Sequence, residues 1–262
     1  MLRRLLLTGF FWLGAWGLSG ESPVPQTPVR VAFYEFGLLY HSGEGLDKDL
    51  TEAVGRRLGL KFSAQVLARA RIWQDLQNGD LDLATSAIIT PERDQFAWQV
   101  PYLATKNLAI VTTQVASTVK SFDQFNANKN LVWGAVTSFK HGTEQDKWID
   151  ILRSEGRLEE STDAEALFRK LKEGRIAGLF SSPPMYKKYL ADLNMASLVS
   201  LQDWTPKEKG FLAGFALSKR RFSEADAKRW AATLQAMKDD GTLKALYSKY
   251  LSPSEVARVL DF

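Results

Sequence analysis

The 262 residues are enough for one large domain or two small ones, and 45% hydrophobic with 24% charged residues is ordinary for a globular protein. The formal charge of +4, half of it from Arg3 and Arg4, is too near balance for a nucleic-acid partner, which needs a basic patch. With no cysteine there is no disulfide and no lipid-anchored thiol, and no short repeat or low-complexity run appears.

Residues 1–20 read as a secretory signal peptide. Arg3 and Arg4 form a positive start, and the apolar run from Leu5 to Leu18 is short for a membrane span of roughly 20 residues. Small residues around Ser19 and Gly20 suit cleavage, which would leave the mature chain in the periplasm. The alternative is an uncleaved anchor. Ser22 to Pro28 is Pro-rich and reads as a flexible lead-in.

Val29 to Tyr34 is β-branched and aromatic, as a buried strand should be. A loop with Glu35, Phe36 and Tyr40 follows. Leu46, Leu50, Val54 and Leu58 then recur at helical spacing, with Gly59 as the stop. Lys61 to Val66 gives a second strand, so residues 29–66 open an α/β sheet. Tyr34, Glu35 and Tyr40 are candidate cleft residues, because loops after a first strand often line a site; packing in the core is the bland alternative. Asp47 and Asp49 read as helix-start charges, with a catalytic or metal-binding role as the alternative. Ala68 to Asn78 is a helix ended by Gly79, and its Arg69 and Arg71 read as solvated, with a place facing the cleft, where they would favour an anionic ligand, as the alternative.

Gly79 to Asn107 reads as strand, loop, short helix, loop. Asp80 to Ala84 makes the strand, and Thr85, Ser86 and Ala87 leave it. Thr90 caps a helix turn with Pro91 in its first position. Arg93 then lies near the strand's carboxyl edge, where open α/β sheets bind ligands, and its planar fork suits a carboxylate. A solvated arginine paired with Glu92 or Asp94 is the alternative. Leu108 to Thr113 is another strand, and the first passage between lobes is expected near 112–118.

The second half repeats the pattern. A strand over Leu131 to Val136 leads to a loop with Ser138 and Lys140, then to a helix whose start attracts anions. After a short strand and a further helix, GRIAGLFSS mirrors GDLDLATSA in form, with Ser182 at its end and helix-starting prolines behind it. Phe211 to Ser218 is a strand expected to return to the first lobe. Ser223 and Asp226 form a capping box for a helix to Asp240, and Thr242 is expected to cap a last helix through Tyr250.

GDLDL, TPERDQFAW and PYL, the Gly45-Asp47-Asp49-Leu50 helix start and the C-terminal DDGTLKALYSKYL together resemble the family 3 bacterial solute-binding proteins over most of the chain after Pro28. The resemblance implies a type II two-lobed α/β fold with mostly parallel sheets and two hinge crossovers. One lobe would take residues 28–115 and 208–262, and the other 118–205. It implies a receptor that closes on a small-molecule ligand and delivers it to the membrane permease of an ABC transporter. The chain is expected to act as a monomer and to need no cofactor.

In that family the arginine here at 93 grips the ligand carboxylate, with Ser86, Ser138 and Lys140 expected around the same group. The hydroxyl usually five residues earlier is Ile88, and the aspartate that holds an amino group is Ser182 here. An ammonium would be buried without a counter-charge unless Glu35 supplied one. The expected ligand is therefore a small carboxylate-bearing or polar metabolite, with standard amino acids bound weakly. No nucleophile elbow, phosphate-cradling loop or dinucleotide fingerprint is present, and two histidines without cysteine give no dedicated zinc site. Two alternatives remain: a lyase of the cyclohexadienyl dehydratase type, and a sensing module for a membrane partner.

Overall fold

Two helices stop where their apolar periodicity lapses, each on a glycine in the left-handed region (Gly59, φ 68°; Gly79, φ 87°). These stops set the length of the strand–helix units from which the molecule is built. The structure is a computed structural model describing residues 27–88 and 90–262. The export signal expected over 1–20 lies outside the described residues, with most of the lead-in.

In chain order, β1 (Val29–Phe33), α1 (Leu46–Leu58), β2 (Phe62–Val66), α2 (Arg69–Asn78), β3 (Leu83–Ile88), α3 (Pro91–Asp94) and β4 (Ala97–Thr105) come first. Then follow β5 (Leu108–Thr112), α4 (Thr113–Ala116), α5 (Phe122–Ala127), β6 (Trp133–Val136), α6 (Thr143–Ser154), β7 (Leu158–Ser161) and α7 (Ala164–Lys172). The chain continues through β8 (Gly178–Ser181), α8 (Pro183–Asp192), β9 (Val199–Gln202), β10 (Phe211–Ser218), α9 (Glu224–Asp239), α10 (Thr242–Tyr247) and α11 (Pro253–Val259).

The strands form two sheets, ordered β2-β1-β3-β10-β4 and β7-β6-β8-β5-β9. The α/β two-lobed architecture is as expected. Each sheet is mixed: its first three strands are parallel, and the last two pairings are antiparallel. β10 does return to the first sheet, between β3 and β4.

Two local expectations change. Residues 97–105 form a strand where a loop was expected, and Pro101 is tolerated because β4 is an edge strand with a register shift opposite Gly214. β5 bonds to β8 and β9, so the first passage between sheets is at 106–107 and not at 112–118. An apolar run such as LAIVT announces a strand without saying which sheet takes it. The return passage runs over 203–210, and Lys106 ties the two together by donating to Asp203 (2.6 Å) and the Thr205 carbonyl (2.8 Å).

The first lobe buries Leu46, Leu50 and Val54 of α1 and Ile72 and Leu76 of α2, with Trp230, Leu234 and Met237 of α9. The second has an aromatic centre in which Trp133 meets Phe125, Phe180 and Trp204. The lobes are closed on each other. The Gly37 N–H donates to the Tyr189 hydroxyl (3.2 Å) and the Leu38 N–H to the Pro184 carbonyl (2.8 Å). Gly37 has φ 62°, and a Cβ there would stand 2.6 Å from the Met185 Cα, so only glycine lets the loop after β1 approach α8.

Candidate ligand cleft

Thr90 caps α3 by accepting the Arg93 N–H (3.2 Å), and Pro91 occupies the first position. This turn points Arg93 inward, where it is 5% exposed. Its guanidinium lies over Trp73 at 3.8 Å and donates to the Ile88 carbonyl (3.0 Å) and, across the cleft, to the Ser138 carbonyl (3.3 Å). Pairing with Glu92 or Asp94 does not occur; both are exposed.

Arg69 departs from its expected solvation. It is 2% exposed, stacked on Tyr34 (4.3 Å) and Trp73 (4.5 Å), and donates to the Thr85 and Ser86 carbonyls (3.1 Å each). α2 starts beside the end of β3, so its first residue turns toward the strand, while Arg71 two residues on reaches solvent and pairs with Asp75 (2.6 Å). Burial lowers the pKa of both Arg69 and Arg93. For Arg93 burial comes first and the Arg69 charge second, bringing it down to about 9.

Asp49 is a surface helix-start charge paired with Lys249 (2.8 Å), but Asp47 is buried. Tyr102 (2.6 Å) and Ser86 (2.7 Å) donate their hydroxyls to it. Burial pushes the Asp47 carboxyl up to about 6 although these hydrogen bonds oppose the shift. Ser86 sits in the left-handed region (φ 49°) and donates its N–H to Tyr102 (2.7 Å). Its hydroxyl therefore serves Asp47.

Tyr34 stacks on Phe36 (4.8 Å), and its buried hydroxyl has no partner; burial raises its pKa. Glu35 meets His41 (2.9 Å) and accepts the Ser42 N–H (3.2 Å). Tyr34, Glu35 and Arg69 line a cavity of about 240 Å³ between the lobes, closed on the far side by Phe139 and Asp163. Tyr40 is not brought there. It stacks flat on Phe33 (4.8 Å) and borders a hollow within the first lobe, beside Lys48 and Gln65.

Ser138 is also left-handed (φ 63°) and presents its carbonyl to Arg93. Lys140 faces a larger hollow of about 630 Å³ by the hinge, with Lys106, Gln145 and Thr205. Ser182 is buried at the start of α8. It shares a void of about 10 Å³ with Phe36, Ile88 and Phe139. Phe36 and Phe139, one from each lobe, meet at 5.3 Å and fill the middle of the cleft.

A family model for bacterial extracellular solute-binding proteins, family 3, matches residues 30–253. The chain belongs to that family. Among solved structures, an ancestral arginine-binding protein bound to arginine is similar at TM-score 0.71 and 22% identity, covering 86% of this chain and 98% of that one. The arginine-, lysine-, histidine-binding protein ArtJ from the thermophilic bacterium Geobacillus stearothermophilus is similar at TM-score 0.71 and 19% identity, covering 86% and 95%. An ancestral amino acid-binding protein, a precursor of cyclohexadienyl dehydratase, follows the fold at TM-score 0.68 and 22% identity, covering 86% and 95%. No curated protein matches in sequence.

Within this family 3 fold, the residues around Arg69 and Arg93 that sequence reasoning missed are Trp73, Tyr102 and Phe139, while Arg69 and Asp47 were weighed as site residues but read as a solvated charge and a helix-start charge. One signal was available for Arg69. Arg71 has Asp75 as its i,i+4 partner, whereas Arg69 has no acid at helical spacing to hold it in solvent. Among the described residues no group of three or more metal-binding side chains occurs, and no helix is long and apolar enough to cross a membrane.

Proposed function

We propose that the protein is a periplasmic receptor that closes on a small carboxylate-bearing metabolite through Arg93 and passes it to an ABC transporter permease. The observation behind this reading is the buried Arg93 guanidinium at the junction of the lobes, bonded to carbonyls and to no carboxylate among the described residues. A buried cation without a counter-ion is costly, and a ligand carboxylate offsets that cost. Export follows from the signal-like start, and the permease from what family 3 similarity implies; one solved relative is the substrate-binding protein of an amino acid ABC transporter.

Standard amino acids are expected to bind weakly. Ser182 is neutral, and Glu35 is engaged by His41 and Ser42 at the cleft mouth. Asp47 is a buried acid whose charge acts on Arg69, but Ser86 and Tyr102 hold its oxygens. The same engagement weighs against Asp47 as the proton donor of a lyase. Calorimetry against carboxylates and the twenty amino acids tests the reading. Arg93→Ala should weaken carboxylate binding by more than about tenfold, as truncation of a buried charged partner does. Unchanged affinity, or micromolar binding of an amino acid that Glu35→Gln abolishes, would count against it.

A further inference from the structure

Arg69 and Arg93 form a pair. Both guanidiniums lie on the one indole of Trp73, and they hang from carbonyls at the end of one strand: Arg69 from Thr85 and Ser86, Arg93 from Ile88. Their guanidinium carbons stand 4.5 and 3.8 Å from the centre of that one ring, so the two cations can be no farther apart than the sum of those distances. Each guanidinium has five N–H donors, and the carbonyls engage only some of them. The Arg69 Nε–H, the Trp73 indole N–H and the Tyr34 hydroxyl are buried without a hydrogen-bond partner.

Neither cation has a direct counter-ion. No ion pair is made by either guanidinium among the described residues: Asp47, the carboxyl that acts on Arg69, has its oxygens taken by Ser86 and Tyr102, and Glu92 and Asp146 act on Arg93 without pairing with it. Unpaired buried cations are costly, and unused buried donors add to the cost. The cavity of about 240 Å³ between the lobes opens onto Arg69 and Tyr34, which gives an anion a way to Arg69.

We infer that Arg69 is a second anchor for a negative charge and that the ligand is a short dicarboxylate, of roughly four to five carbons, held by one guanidinium at each end. This rests on the receptor reading of Arg93 and adds the ligand class. A purely structural Arg69, present only to hold the Thr85 and Ser86 carbonyls, would give no selection for a second charge.

The test compares succinate, glutarate and malate with the half-amide succinamate, with butyrate, and with inorganic phosphate, by calorimetry on the wild-type protein. Dicarboxylates should bind at least about tenfold more tightly than succinamate or butyrate. Arg69→Gln should weaken the dicarboxylates at least about tenfold more than it weakens succinamate. Because the wild-type comparison needs no variant, a failure of Arg69→Gln to fold does not remove the test. Equal affinity for succinate and succinamate, lost in Arg93→Gln, overturns the second anchor and leaves the receptor reading standing. Tighter binding of phosphate than of any dicarboxylate overturns the ligand class. No binding of any carboxylate overturns both.

Discussion

At the carboxyl ends of the first lobe's strands lie buried charges: Asp47, Arg69 and Arg93. The corresponding edge of the second lobe carries Ser138, Phe139 and Ser182, with no buried ion among them. The two sheets have the same strand order and the same pattern of parallel and antiparallel neighbours. What separates the lobes is therefore the set of side chains on loops and helix starts, where one scaffold can carry different chemistry. The first lobe holds the charge, and the second brings a carbonyl and an aromatic lid to it.

Their interiors differ too, and the largest expected effect lies there. Trp133 is fully buried among Phe125, Phe180 and Trp204 in the second lobe. Trp133→Ala should cost about 3–5 kcal/mol. Hydrogen exchange should show β6 and β8 losing protection before β1 and β3. Equal loss in both sheets would mean that the closed lobes unfold as one unit, and the comparison would have to be redrawn.

The next effect belongs to the first lobe alone. Asp47 has its carboxyl raised from 3.8 to about 6, so the folded protein holds that proton more tightly than the unfolded chain does. Stability from this group is greatest below pH about 4 and falls as pH rises toward about 6, by about 3 kcal/mol in all. Asp47→Asn removes the titrating group, keeps one oxygen to accept from Tyr102 or Ser86 and turns the other position into a donor, and should flatten that slope. Urea titrations of both proteins from pH 4 to pH 7 check it; parallel curves would place the slope elsewhere.

Between the lobes, Gly37 sets how closely they meet. Gly37→Ala adds a Cβ 2.6 Å from the Met185 Cα at a φ of 62°, and should disfavour closure by about 1–3 kcal/mol. Small-angle scattering should show a larger radius of gyration with both cores intact. An unchanged radius would show that the loop after β1 yields instead.

How much of this was legible depends on whether local pattern or packing decides. The capping box at Ser223 and Asp226, the glycine stops and the returning strand at 211–218 follow from nearby residues, and they stand where the sequence puts them. Arg93 was legible for the same reason, since Thr90 and Pro91 fix its turn. Arg69 was not, because its burial depends on α2 docking beside the end of β3, sixteen residues away in sequence. Asp47 and Tyr102 are farther apart still, 55 residues, and meet only after α1 packs over the sheet. The sheet membership of β5 had the same obscurity, because its partners β8 and β9 come much later in the chain.

The smallest expected effect is at the ion pair that spans the lobes, Lys187 of α8 with Glu255 of α11. Lys187 is 44% exposed at its side chain and Glu255 only 7%. Burial raises the Glu255 pKa, but the Lys187 ammonium and the Ser252 hydroxyl and N–H outweigh it and hold the carboxyl at about 2. The folded value lies below the ordinary 4.5, so this contribution is complete above pH about 4.5 and is lost as pH falls toward about 2. In Lys187→Ala, Glu255 keeps both Ser252 donors, at 2.6 and 3.0 Å, and so is not left bare. Closure should weaken by no more than about 1 kcal/mol, the range of a half-exposed pair. Scattering at pH 7 should therefore find the variant nearly as closed as the wild type. A variant that opened as far as Gly37→Ala would make this pair, and not the loop after β1, the contact that holds the charged lobe to its cover.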